Sequence, residues 1–240
     1  MSSELLHQYD GTLTRLTLNR PSKANALSAS LIEALLEAVN KAHTDGTRLL
    51  VLEGAGNHFS AGFDFTAYQD HSEGDLALRF IRIETLLQTL HHAPFETLAL
   101  AHGKVFGAGA DLVAVCNIRV AAPDTTFRMP GLRFGVVLGT RRLAHRIGTD
   151  QARTLLSESR AFDAHAALNN HFLTALAGPV QWPEIVALAH THAAQLSMAA
   201  FAAFHRQITP DTRVSDMSAL AHSVSMPGIK DRIRLYRENA

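Results

Sequence analysis

The sequence predicts an α/β fold with a parallel-paired core, followed by a helical C-terminal region. Short apolar runs alternate with helical patterns through the first half, and from Arg141 onward the periodicity is helical throughout. The run Leu49-Leu50-Val51-Leu52 is apolar on successive residues, which suits a strand covered on both faces. Strands joined through helices pair in parallel, because each crossover returns the chain to the end from which it started.

Residues 5–9 and 12–18 alternate around Asp10-Gly11, a dipeptide suited to a hairpin turn. Ser28 is placed to cap a helix whose apolar positions Leu31, Leu35, Ala38 and Val39 recur at helical spacing, and Asp45-Gly46 ends it. The buried strand at 49–52 follows. A polar, mobile-looking stretch, 69–75, precedes a helical pattern over 76–90. Pro94 introduces a second buried strand, 97–101; a helix over 109–116 and a strand over 118–121 complete the alternation. Helical segments at 143–147, 151–156, 163–169 and 183–196 are separated by Gly148-Thr149, Ser159-Arg160 and Ala177-Gly178-Pro179.

Composition narrows the function classes. Lys plus Arg equals Asp plus Glu at 22 each, so no overall field points to nucleic acid or an anionic membrane. The single Cys116 excludes an internal disulfide framework and a multi-cysteine metal site, and reads as a buried, reduced thiol. No apolar run approaches the ~20 residues that cross a bilayer, and the N-terminus carries neither a basic patch nor an apolar signal core. A cytoplasmic enzyme or binding protein is expected. Histidines are numerous, but His91-His92 and the pair His190 and His192 diverge on a helix and no His-Glu-x-x-His occurs, so no metal is expected.

Two glycine-bearing segments hold the chemistry: His58-Phe59-Ser60-Ala61-Gly62-Phe63-Asp64-Phe65 and His102-Gly103-Lys104-Val105-Phe106-Gly107-Ala108-Gly109-Ala110-Asp111. Each follows a strand-like run, and the second enters a helix. Small residues there leave backbone N–H groups uncovered, and two such groups converging on one point form an oxyanion hole, to which a helix start adds partial positive charge. Taken singly, either segment could as well be a tight turn.

Together with Thr17-Leu18-Asn19-Arg20-Pro21-Ser22-Lys23-Ala24-Asn25-Ala26-Leu27 upstream and the stretch 127–135 downstream, these segments resemble the crotonase (enoyl-CoA hydratase/isomerase) superfamily. The resemblance implies a crotonase-like (ββα) spiral core over 1–190 and a helical trimerisation region over 191–240. It further implies an acyl-CoA thioester as substrate in fatty acid metabolism, no cofactor beyond the CoA that the substrate carries, and a homotrimer or hexamer. The N–H groups of Phe63 and Ala108 map onto the oxyanion hole, backed by Ala61, Gly62, Gly107 and Gly109. Lys23, Ala24 and Ala26 match the region that lines the CoA adenine and phosphate pocket, and Asp64 matches an aspartate that ties down the loop.

The resemblance breaks at the acid/base pair. Relatives that hydrate use two glutamates. The first position corresponds to Asp111, shorter by one methylene and so withdrawn by ~1.5 Å. The second corresponds to Gly131, after Pro130, which cannot move a proton, and the loop that follows it is about three residues shorter than in relatives. Other groups that could supply a base are Asp70, His71, Glu73 and Glu84, each also readable as a surface charge. Arg128 and Arg133 flank the lost glutamate and are candidates to hold a substrate carboxylate. Phe65, Phe80, Phe106, Phe134 and Leu138 could line an acyl pocket or simply build core. Enolate stabilisation with at most one direct carboxylate, Asp111, is therefore expected, with isomerisation, decarboxylation or thioester hydrolysis ahead of hydration. A catalytically silent acyl-CoA binder is the non-enzymatic alternative.

Overall fold

The computed structural model describes residues 3–239. Strands β1 (Leu5–Asp10) and β2 (Leu13–Leu18) form the expected hairpin, in antiparallel register from Leu5 opposite Leu18 to Asp10 opposite Leu13. Helix α1 (Ala29–Ala42) starts where Ser28 Oγ accepts from the Leu31 N–H at 3.1 Å. Then follow β3 (Leu49–Gly54), α2 (Glu73–His91), β4 (Glu96–Ala101), β5 (Lys104–Phe106), α3 (Ala108–Val115), β6 (Ile118–Ala121) and β7 (Thr126–Arg128). The second half comprises α4 (Thr140–Ile147), α5 (Thr149–Glu158), β8 (Phe162–Asp163), α6 (Ala164–Asn169), β9 (Ala175–Leu176), α7 (Trp182–Gln195), α8 (Met198–Ile208), α9 (Arg213–Ser225) and α10 (Ile229–Glu238).

The main sheet runs β1-β2-β3-β4-β6-β9, parallel from β2 onward. Burial of β3 on both faces explains its continuous apolar run. Leu50 and Leu52 enter the main core beneath α1 and α2. Leu49 and Val51 face a second core, where Leu98, Leu100 and Val120 meet Val186, Ala189 and Ala193 of α7.

A second sheet, β5-β7-β8, pairs β5 parallel to β7 and β7 antiparallel to β8. Its strands are only two or three residues long, too short for a periodic signal. Phe127, Phe162 and Phe172 pack beside it with ring centroids 5.2–5.7 Å apart. The polar stretch before α2 is ordered by its own side chains: Ser72 and Asp75 cap reciprocally, so α2 begins at Glu73 rather than Leu76.

The expected boundary at residue 190 falls within α7, which continues to Gln195. Beyond it, α9 and α10 return Leu220, Val224, Ile229 and Ile233 to the main core. Cys116 is fully buried, and burial pushes its thiol up to about 12. Among the described residues no single helix is long and apolar enough to cross a membrane.

Phe127 has no exposed surface and touches both ring partners. Phe127→Ala should lower the unfolding free energy by ~3–5 kcal/mol, read as a lower urea midpoint at unchanged slope.

Candidate active site

Three loops lace together at one end of the sheet. The first centres on Asn25, buried and in the left-handed region at φ 51°. Its side-chain amide donates to the carbonyls of Ala55 and His58 at 2.9 and 2.7 Å, and its Oδ1 accepts from the Arg20 N–H at 2.8 Å. Ser60 extends the lacing: its hydroxyl donates to the Asn25 carbonyl at 2.9 Å and accepts from the Gly62 N–H at 3.1 Å. The second loop then runs alongside the third, with the Phe106 N–H donating to the Ser60 carbonyl at 2.9 Å.

This lacing decides which amides stay free. Leu27 bridges the segment around Phe63 in parallel: its N–H donates to the Gly62 carbonyl at 2.7 Å, and its carbonyl accepts from the Asp64 N–H at 3.3 Å. In extended backbone, alternate residues point to opposite sides, so the Phe63 N–H is turned away from that bridge. Ala108 is the first residue of α3, and its N–H has no intrahelical acceptor. Neither amide has a hydrogen-bond partner among the described residues.

They also lie close together. A Cβ placed on Gly62 would stand 3.1 Å from the Ala108 nitrogen and run into the Phe106 carbonyl oxygen, and Gly62 has φ 82°. Only glycine fits there.

Both residues line a cleft that is partly open to solvent. Its walls are mostly apolar and include Phe65, Phe80, Phe106, Phe134 and Leu138, all five of the residues weighed as an acyl pocket. The Phe63 ring stacks on Phe80 at 4.3 Å, with the Arg79 guanidinium over its other side at 4.2 Å. The polar side chains at the cleft are few: Asp111, Arg128, Thr140 and Tyr236.

Asp111 sits one turn into α3, 4% exposed, and its carboxyl oxygens have no hydrogen-bond partner among the described residues. Burial pushes the carboxyl up to about 8; the Arg142 guanidinium opposes the rise and the Glu84 carboxylate adds to it. Its Oδ1 rests on Gly139, where any Cβ would collide with it. At neutral pH the group is therefore mainly the protonated acid.

Gly131 lines the same cleft and starts the turn Gly131–Phe134. A Cβ there would lie 3.0 Å from the Val136 carbonyl oxygen, so the short loop is fitted closely around the missing side chain. Arg128 uses its Nε to donate to the Ser159 carbonyl at 3.1 Å, and its two terminal nitrogens make no hydrogen bond to the described residues.

Of the other residues singled out, Ala61 and Gly107 line the cleft, while Gly62, Gly109 and Asp64 lie behind it. Burial alone would raise the Asp64 carboxyl. Bonds from Thr66 and the Arg20 guanidinium, 2.8 Å away, outweigh that and hold it below the ordinary range, a loop-fixing arrangement. Lys23 is exposed on the first loop; Ala24 accepts from the Ala61 N–H at 2.8 Å, and Ala26 is buried.

Asp70, His71 and Glu73 do not line the cleft, nor does Arg133, which donates to the Glu158 carbonyl. Glu84 is buried in a two-point bond from Arg142. Sequence reasoning missed Thr140, Gly139 and Tyr236. The last reaches the cleft from α10, more than 100 positions from either glycine segment, and no local pattern announces it.

The sequence profile of the enoyl-CoA hydratase/isomerase family matches residues 8–225. The chain belongs to that family. The probable enoyl-CoA hydratase echA6 of Mycobacterium leprae is 34% identical over 193 residues, covering 76% of each chain. The ethylmalonyl-CoA decarboxylase of Homo sapiens is 33% identical over 171 residues, 68% of this chain and 55% of that one. Among solved structures, an enoyl-CoA hydratase/isomerase candidate from Bordetella parapertussis is 49% identical and superposes with a TM-score of 0.97 over 98% of both chains. Its agreement with these crotonase-fold neighbours establishes the spiral architecture around the cleft.

Two outcomes follow from this geometry. Gly62→Ala should displace the loop that carries Phe63, lowering both thermal stability and affinity for CoA esters measured by calorimetry. The second concerns Asp111. The unfolded carboxyl releases its proton near the ordinary aspartate value of about 4 and the folded one only near 8, so between those limits the folded state binds more protons and stability falls as pH rises. Asp111→Asn should remove that slope and gain on the parent chain by a few kcal/mol as pH rises from 4 to 8, measured by denaturant unfolding across pH.

Proposed function

We propose that the protein is an acyl-CoA enzyme that stabilises a thioester enolate with the backbone N–H groups of Phe63 and Ala108. Asp111 would be the one carboxyl that moves the proton. The reading rests on two unpartnered amides from different loops meeting beside a buried acid. A thioester oxygen accepting from both becomes a better electron sink, which acidifies the adjacent carbon; losing one donor of such a pair costs about 10²–10³ in rate in known enzymes. The start of α3 adds positive potential at the same point.

The ionised fraction of a carboxyl that titrates near the operating pH can take a proton from the α-carbon and return it elsewhere, which is the work of an isomerase. Hydration by a carboxylate pair lacks its second member, since position 131 is glycine. The cleft needs no cofactor beyond the CoA of the substrate. Lys23 would supply a point charge for a CoA phosphate.

Arg128 favours a second reading within the same site. Its free guanidinium edge, facing a cleft whose one carboxyl is mainly protonated, suits an acyl group bearing its own carboxylate. The bond from the α-carbon to that carboxylate would break, carbon dioxide would leave, and the electron pair would stay as the enolate on the two amides. Asp111 would then give its proton to the α-carbon and recover one from water.

Incubation with crotonyl-CoA and with malonyl-type CoA esters, each followed by mass spectrometry, separates these reactions. Turnover that falls by about 10²–10⁴ in Asp111→Asn is the expected result; turnover should rise toward pH about 8 where the ionised form takes the α-proton, and decline above pH about 8 where the acid form donates one. Hydration at an undiminished rate in Asp111→Asn would overturn the reading; binding of CoA esters without turnover would support a silent binder. Loss of malonyl-type turnover in Arg128→Ala, with crotonyl-CoA binding unchanged, would select decarboxylation.

A further inference from the structure

Behind the cleft lies a group of charges buried far more deeply than a solvated network. Arg142, on the first turn of α4, donates from Nη1 and Nη2 to the two oxygens of Glu84 on α2 at 2.8 and 2.6 Å. Nη1 also donates to Asp216 of α9 at 3.1 Å. The side chains of Arg142, Glu84 and Asp216 are 3%, 1% and 7% exposed. Asp216 has two further partners, the Thr212 hydroxyl at 2.6 Å and the half-exposed Arg141 at 3.2 Å. Burying an ion pair this completely costs solvation that its two-point geometry has to offset, so its presence is weak evidence for a purely stabilising role.

Its neighbour is Asp111. Arg142 and Glu84 are the charges that act on the Asp111 carboxyl, yet neither bonds it. One residue before α4 begins, Gly139 provides the seat on which Asp111 Oδ1 rests, so a single short segment fixes both the seat and the guanidinium. The Arg142 Nε is buried without a partner, while both terminal nitrogens are engaged by Glu84.

Other charged or titratable groups lie to the sides. Arg128 of β7 and Tyr236 of α10 line the same cleft as Asp111. At the far end of α3, Arg146 donates to the carbonyls of Ala114 and Cys116, close to His91 of α2, which burial keeps neutral.

We propose that Glu84 is a positioning residue for Asp111: it holds the Arg142 guanidinium in a two-point bond, withholds that charge from the neighbouring carboxyl, and so keeps Asp111 as a proton donor. Asp216 completes the restraint from α9 by engaging the same Nη1. The chemistry is charge balance. Arg142 is offset by two carboxylates, so its charge lowers the Asp111 carboxyl by less than burial raises it. A guanidinium released from Glu84 would turn toward the nearest unpartnered acceptor, and Asp111 offers two. The proposal rests on Asp111 being the proton-moving group of the acyl-CoA reaction.

The test is a titration of the ligand-free protein, independent of which CoA ester it turns over. The protonated-carboxyl band in the infrared spectrum, assigned by its loss in Asp111→Asn, is followed across pH in the parent chain and in Glu84→Gln. The expected result is a downward shift of that midpoint by ~1 pH unit or more, with the pH limit of turnover moving in parallel. Asp216→Asn, farther from the cleft, should shift it the same way by less, and it decides the matter should Glu84→Gln not fold. A midpoint unchanged in a folded Glu84→Gln, or in Asp216→Asn where that variant stands alone, would overturn the proposal. A shifted midpoint without any turnover would uphold it while refuting the acyl-CoA reaction.

Discussion

The hydrogen bonds that Asn25 and Ser60 make across three loops are the constraint on which the rest of the site depends. Neither residue touches the cleft. Asn25, in a left-handed conformation, satisfies two carbonyls of the loop that leads to Gly62, and Ser60 ties that loop back to the Asn25 carbonyl. With these bonds made, Leu27 takes up the amide of Asp64 and the carbonyl of Gly62, and the one group between them with nowhere to donate is the Phe63 N–H. A buried amide without a partner costs of order 1–3 kcal/mol. Phe63 and Ala108 avoid it because both line a cleft partly open to solvent, where water or a ligand can accept from their amides.

Electrostatics behind the cleft follow the same economy. Arg142 stabilises the ionised form of Asp111 only in part, since its guanidinium is already bonded to Glu84 and Asp216, and burial dominates. The nearby Asp64 shows the contrast. It is also buried, but it receives a guanidinium and a backbone N–H, and its carboxyl is held low instead of high. The two aspartates thereby shift in opposite directions: Asp64, in a loop, is held low by its partners, and Asp111, in the first turn of α3, is raised by burial.

Much of the fold was legible locally. The Asp10-Gly11 turn, the Ser28 cap and the doubly buried run at 49–52 each have a short-range physical cause, and each stands where the periodicity put it. Less was legible where the cause is distant. The strands β5, β7 and β8 are two or three residues long and exist only because they pair with one another; α2 begins early because two side chains cap each other. For the site, both glycine segments contribute residues to the cleft, and the aromatic residues weighed as either pocket or core line it too. Glu84, weighed as a possible base, is held by an arginine 58 positions away and takes no place at the cleft. No pattern around Glu84 could reveal that bond.

The sequence by itself determined the alternation of strands and helices, the family and the glycine at position 131, because these are properties of residues and their near neighbours. Tertiary structure alone decided which amides stay free, that burial raises the Asp111 carboxyl, and that α10 brings Tyr236 to the cleft. Those outcomes depend on bonds and burial between segments far apart in the chain, where the energy of a group is set by what surrounds it and not by what precedes it.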